Sequence, residues 1–267
     1  MPTLYEWPAA TVRSGRRFEP VAEKALDSDL RALAARFRST DQVVHSIPEF
    51  PGANGIADLL VVSSVGSRLH ARLSSGLPFL RSLTDARVAA AIPRGRDLDW
   101  RRLAPIVDMS ERQVGSTLNR LVSAGVVIRH GGLVRRNIAM APVGRMYALE
   151  AKVSDWRKGM SQALRYSTWS DAAGVVLAEA PQNIEQAKLR ARTLGLGLAV
   201  RDRWIVRPRL KVPQAGLRLL ASEHFVMSLH AAGYPSLPEP FGNSVTFENL
   251  QVGLGPRISV GDANRGT

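Results

Sequence analysis

Two apolar runs, residues 56–62 and 146–153, carry charge where a buried strand tolerates it poorly. Asp58 lies in the first, and Glu150 and Lys152 lie in the second. Near-continuous apolar runs of this length belong to strands covered on both faces, so both are placed inside a sheet flanked by helices. Side chains alternate along a strand, so Glu150 and Lys152 point the same way, separated by Ala151. A buried carboxylate is costly unless it is paired or binds a metal ion. Two chemistries answer that requirement. One is an ordinary ion pair at a sheet end, with an arginine as partner. The other is a site for a hard cation such as Mg²⁺, which takes one or two carboxylates together with substrate phosphate. Lysine is scarce here, five among 36 basic residues, which gives Lys152 more weight than another arginine would have.

Helical spacing of apolar residues predicts a helix over 19–38, with Val21, Ala25, Leu26, Leu30, Leu33 and Phe37 on one stripe. A short strand over 43–47 and a Pro- and Gly-containing loop lead to the acidic strand at 56–62. The middle of the chain, 80–141, has a different texture: helices at 83–91, 98–107 and 111–124, then a hairpin with a Gly131-Gly132 turn. Ser110 is the expected N-cap of the third helix and Gly125 its stop. Beyond it follow the strand at 146–153, a helix at 154–169, a strand at 174–178, a helix at 184–194 and a hairpin turning at Asp202. This order predicts an α/β layer fold, a mixed sheet flanked by helices. The expected organisation is a core in two parts (1–67 and 146–212), an insert (80–141), and a C-terminal region (213–267). That last region has a helix near 217–232 followed by an irregular tail.

Thirty-six Lys and Arg against 23 Asp and Glu give a net charge of +13. Such a field attracts polyanions. The alternative source of the charge is arginine-rich codon usage. The absence of cysteine excludes disulfides, thiol nucleophiles and cysteine-based zinc sites. No P-loop, no G-x-G-x-x-G and no serine–histidine–acid grouping is present. His224 and His230 stand six apart, a poor helical register for a shared metal, and are read as surface or packing residues. With aromatics at 6%, no base-stacking platform is evident. No apolar run approaches the roughly 20 residues of a membrane span. Residues 1–17 lack the apolar stretch of a signal peptide. The expectation is a cytoplasmic protein with no membrane partner.

The stretches GIADLLVV (55–62) and YALEAKV (147–153), followed by QALRY (162–166), resemble the acidic strand, the E-x-K strand and the Q-x-x-x-Y helix of the PD-(D/E)XK nuclease superfamily. Ala57 stands where the motif that names the family has proline. The resemblance implies the restriction-endonuclease-like fold, with Asp58 and Glu150 as ligands of Mg²⁺ (or Mn²⁺) and Lys152 as a catalytic residue. It implies a further acid from the first helix, Glu23, with Glu19 as the alternative; either is otherwise a solvated acid near a helix start. Gln162 and Tyr166 would touch DNA or brace the lysine, or simply form a polar helix face. With Trp169 they are expected on the helix side opposite Trp156 and Met160.

Asp58 and Glu150 are 92 positions apart. The insert that separates them resembles a winged helix-turn-helix of the MarR type, carried by LDWRRLAPIVDMSERQVGSTLNRLVSAGVVIRHGGLVRRN. Residues 111–124 would then be the recognition helix, lying in a DNA major groove, with Arg112, Gln113, Ser116, Thr117 and Arg120 exposed. The wing would present Arg129, His130, Arg135 and Arg136. Ten arginines between 94 and 145 face four acids, a surface suited to phosphates. Winged helices also serve as protein adaptors. The expected partner is double-stranded DNA. The expected activity is metal-dependent phosphodiester hydrolysis in restriction, phage defence or mobile-element biology, or else a catalytically silent core acting as a regulator. A homodimer is a further expectation, since cutting both strands of a duplex commonly needs two sites.

Overall fold

The apolar runs form the centre of a mixed sheet. The computed structural model describes residues 2–9, 25–234 and the backbone of 257–259. Strands β1 (Thr3–Glu6), β2 (Val43–Gly52) and β3 (Gly55–Ser63) come first, with helix α1 (Asp27–Ala34) between β1 and β2. After helix α2 (Gly66–Leu73) the chain leaves the sheet, and it returns as β7 (Arg145–Lys152). Helix α6 (Trp156–Tyr166), β8 (Ala172–Leu177), α7 (Ile184–Leu194), β9 (Gly197–Val200) and β10 (Arg203–Val206) complete the layer. The strand order is β10-β9-β8-β7-β3-β2-β1, with β11 (Arg257–Ser259) beyond β1. β7, β8 and β9 run parallel, joined by α6 and α7 as crossovers, while β3 is antiparallel to both of its neighbours.

The sheet buries a different core on each face. On one, Leu60, Val62, Met146, Ala148 and Val175 pack beneath Met160, Ala163, Tyr166 and Trp169. On the other, Leu59, Val61, Leu149 and Val176 receive Leu26, Leu30, Leu33 and Ala34 from around α1. That double burial explains why the strands read as apolar runs rather than as alternating patterns.

Residues between α2 and β7 build a separate small core. It consists of α3 (Leu83–Ala91), β4 (Leu98–Asp99), a 3₁₀ turn (Trp100–Arg102), α4 (Leu103–Val107), α5 (Glu111–Ser123), β5 (Val127–His130) and β6 (Leu133–Arg136). β4, β6 and β5 form a three-stranded sheet. The expected helix over 98–107 is thus a strand residue pair, a 3₁₀ turn and a short helix, because Leu98 and Asp99 pair with Val134 and Leu133. Ser110 caps α5 as expected, in a reciprocal capping box with Gln113.

Helix α8 (Ala215–Ala231) belongs to both cores. Leu219 and Leu220 enter the small one, while Ala221, Phe225, Val226 and Leu229 enter the larger. It also holds both connecting segments. Glu223 pairs with Arg72 in a buried two-pronged contact (2.8 and 2.6 Å), and Arg72 reaches the carbonyls of Leu77 and Pro78. On the return segment, Arg218 donates to the carbonyls of Val143 and Gly144 and pairs with Asp171 at 3.0 Å. The insert is therefore fixed against the sheet rather than tethered to it. Among the described residues no helix is long and apolar enough to cross a membrane.

Candidate metal and phosphodiester site

The β3–β7 ladder ends at the pair Leu59–Leu149. One step further the same register sets Asp58 opposite Glu150, and a side chain replaces the ladder bond: Ala151 N–H donates to Asp58 Oδ2 at 2.8 Å. Glu150 is 1% exposed and Lys152 7%. Their side chains meet, with Lys152 Nζ 2.9 Å from Glu150 Oε1, and the same ammonium donates to Ala151 O at 2.9 Å. From α6, Tyr166 Oη stands 2.7 Å from Glu150 Oε2 and 2.7 Å from Ile56 O. Lys152 and Tyr166 thus hold the two oxygens of Glu150, and β3 joins through Asp58 on the Ala151 amide and the Ile56 carbonyl on the Tyr166 hydroxyl.

α6 is shaped for this approach. Asp155 caps its first turn, accepting from Lys158 N–H. A Cβ at Gly159 would lie 2.7 Å from Val175 Cγ1 and 3.1 Å from Lys152 Cγ, so glycine is what lets the helix rest directly on the lysine stem. Burial, followed by the Glu150 charge and hydrogen bond, pushes the Tyr166 phenol well above its usual range, so it remains a donor. Tyr166 and Trp169 are buried in the same core as Trp156 and Met160, not on the opposite side of the helix as their spacing suggested. The apolar stripe is simply wider than that pattern implied. Gln162, one turn before Tyr166, is half-buried, and its Oε1 has no hydrogen-bond partner among the described residues. Glu19 and Glu23 lie outside the described residues.

Glu49 is a further acid at this edge of the sheet. In the β2–β3 register it falls opposite Asp58, between the pairs Pro48–Leu59 and Phe50–Ala57, in a left-handed backbone conformation (φ 49°). Glu49, Asp58 and Glu150 so occupy one row across three adjacent strands. The available signal was an acid in a Pro-bounded turn directly preceding the acidic strand. No group of three His, Asp or Glu side chains suited to a cation occurs among the described residues. Asp58 and Glu150 face each other in register at this edge, two carboxylates being a number that Mg²⁺ often takes from protein beside substrate phosphate.

On the insert, Arg112 and Ser116 are exposed on α5 and His130 is exposed at the hairpin tip. Two of the expected contact residues are not on the surface. Thr117 is buried within the helix packing. Arg136 is 8% exposed, and burial, with Arg94 nearby, lowers its pKa to about 10. Others are engaged: Gln113 in the capping box, Arg120 with Asp85, Arg129 with Asn119 and over the Trp100 ring, and Arg135 near Asp97 at 3.9 Å. No protein-family model, curated protein or solved structure matches the chain.

Proposed function

We propose that the chain is a divalent-metal-dependent endonuclease acting on double-stranded DNA, with a restriction-endonuclease-like core and an inserted winged helix-turn-helix. The observation that carries this reading is the register that sets Asp58 opposite the buried Glu150–Lys152 pair at the end of one ladder, with Tyr166 bracing the glutamate. Asp58 and Glu150 would hold Mg²⁺ or Mn²⁺, which lowers the pKa of a bound water and neutralises charge on a phosphodiester. The chain's own residues supply the rest. Lys152, fixed by Glu150 and Ala151 O, offers a positive charge for the phosphate oxygens. Tyr166, held protonated, fixes the Glu150 carboxylate. Arg112 and Ser116 on α5 and His130 on the hairpin present groups to a duplex. A pair of chains is the proposed acting unit, because each site cuts one strand.

A second reading, a DNA-binding regulator with a silent core, draws on a specific feature: both Glu150 oxygens already have protein partners. Plasmid incubated with the purified chain, with Mg²⁺ and with chelator, separates the two. Cleavage that needs the metal and disappears in Glu150→Gln and Lys152→Ala supports the enzyme. Cleavage that survives in both variants rules out this site. Tight duplex binding without cleavage in any divalent metal supports the regulator.

A further inference from the structure

On the face of the sheet opposite Glu150 lies a concavity of about 510 Å³, lined by Arg36, Phe37, Arg38, Tyr147, Arg203, Trp204, Arg207 and Pro208. Its aromatic side chains come from three separate segments. Phe37 follows α1 and lies 4.4 Å, centroid to centroid, from Tyr147 on β7; the Trp204 ring of β10 stands edge-on to it at 6.2 Å. All three are half-buried, each with part of its surface open to solvent. The indole is set down on a glycine floor. Gly174 and Gly197 pair across β8 and β9, and a Cβ at Gly197 would lie 2.5 Å from Trp204 Cζ3.

The rim is cationic. Arg36 is paired with Asp202. Arg38, Arg203 and Arg207 are exposed and have no acidic partner among the described residues. Aromatic faces beside unneutralised guanidinium groups match a base joined to a phosphate, since stacking is tolerant of base identity and arginine is a strong phosphate donor. We infer that this pocket binds a nucleotide unit, its base against Phe37, Tyr147 and Trp204 and its phosphate at Arg38, Arg203 and Arg207. The unit is either a free nucleotide or part of a single strand. The pocket does not depend on the metal site, because Tyr147 and Glu150 occupy opposite faces of β7.

The test uses the full chain and (dT)₁₂ carrying 5-iododeoxyuridine. Photo-crosslinks are expected at Trp204, Tyr147 or Phe37. The double variant Arg203→Glu/Arg207→Glu is expected to bind (dT)₁₂ about tenfold more weakly with unchanged near-ultraviolet dichroism. Glu150→Gln is expected to bind it as wild type does. Displacement of (dT)₁₂ by dTMP assigns the pocket to the free nucleotide as well, and retention against dTMP assigns it to the strand. Crosslinks elsewhere, no binding of either probe, undiminished affinity in a folded double variant, or loss of binding in Glu150→Gln would overturn the proposal. The crosslinking arm needs no variant, so a misfolded double variant does not leave the question open.

Discussion

Glu150 and Lys152 share a buried position that neither occupies well alone. Removing one partner of such a pair strands the other, at a cost of about 3–5 kcal/mol. Lys152→Met is therefore expected to lower the urea midpoint of unfolding as well as abolish cleavage. Glu150→Gln, which keeps a polar partner for Tyr166, should lose cleavage with a smaller stability change. Tyr166→Phe keeps the ring and removes the donor to Glu150 Oε2. It should cost about 1.5–3 kcal/mol, a charged-acceptor hydrogen bond, and reduce cleavage while duplex affinity stays constant. His45 makes the stability of the fold depend on pH. It is fully buried, accepts a hydrogen bond from Trp7 Nε1 at 3.1 Å, and burial holds its pKa down at about 4 against 6.5, with Asp41 opposing the shift. The unfolded chain therefore binds the extra proton more tightly. Its contribution to stability is complete above about pH 6.5 and erodes as pH falls towards 4, by roughly 3 kcal/mol. Urea melts between pH 7.5 and 4.5 should show this loss in wild type, and a shallower one in His45→Gln.

At the scale of elements, the strands that hold the site were legible because charge inside an apolar run is itself unusual. Asp58, Glu150 and Lys152 stand out for that reason, and the β3–β7 register sets Asp58 opposite Glu150. α3 and α7 fall on the residues their spacing predicted. β1 and α2 leave little pattern in the sequence, since Thr3–Glu6 is only four residues long and Gly66–Leu73 opens on glycine and carries several polar residues. The Tyr166 hydroxyl suggests the polar side of α6, but most of the side chain is ring, and it packs into the core. Thr117 and Arg136 illustrate the same difficulty: residue type suggested exposure, and packing decided otherwise. The capping box at Ser110 was half legible, with the cap residue foreseen and the reciprocal bond from Gln113 not. Ser110→Ala should cost about 1 kcal/mol, seen as a lower thermal midpoint. Because Gln113 serves the cap, the change should also weaken duplex binding by loosening the start of α5.

At the scale of the whole molecule, α8 locks the insert to the sheet. The Arg72–Glu223 pair spans 151 positions, and no local pattern announces it. The aromatic pocket has no local signature for the same reason: Phe37, Tyr147 and Trp204 meet only in the folded chain. Arg72→Met would leave Glu223 buried without its cation, a loss of about 3–5 kcal/mol. It should release the connecting segment near Leu77 and Pro78, visible as faster amide exchange there and in α3. If the insert positions DNA for the acidic site, that variant should cut more slowly even when still folded and still able to bind duplex. The proposed chemistry requires Asp58 and Glu150 to hold one divalent ion jointly against a phosphate. Its most direct test is a Mn²⁺ titration followed by electron paramagnetic resonance, with a phosphorothioate duplex present to resist cutting. One ion per wild-type chain, lost in both Asp58→Asn and Glu150→Gln, is the predicted result. No bound ion in the wild type, or equal binding in both variants, would contradict it.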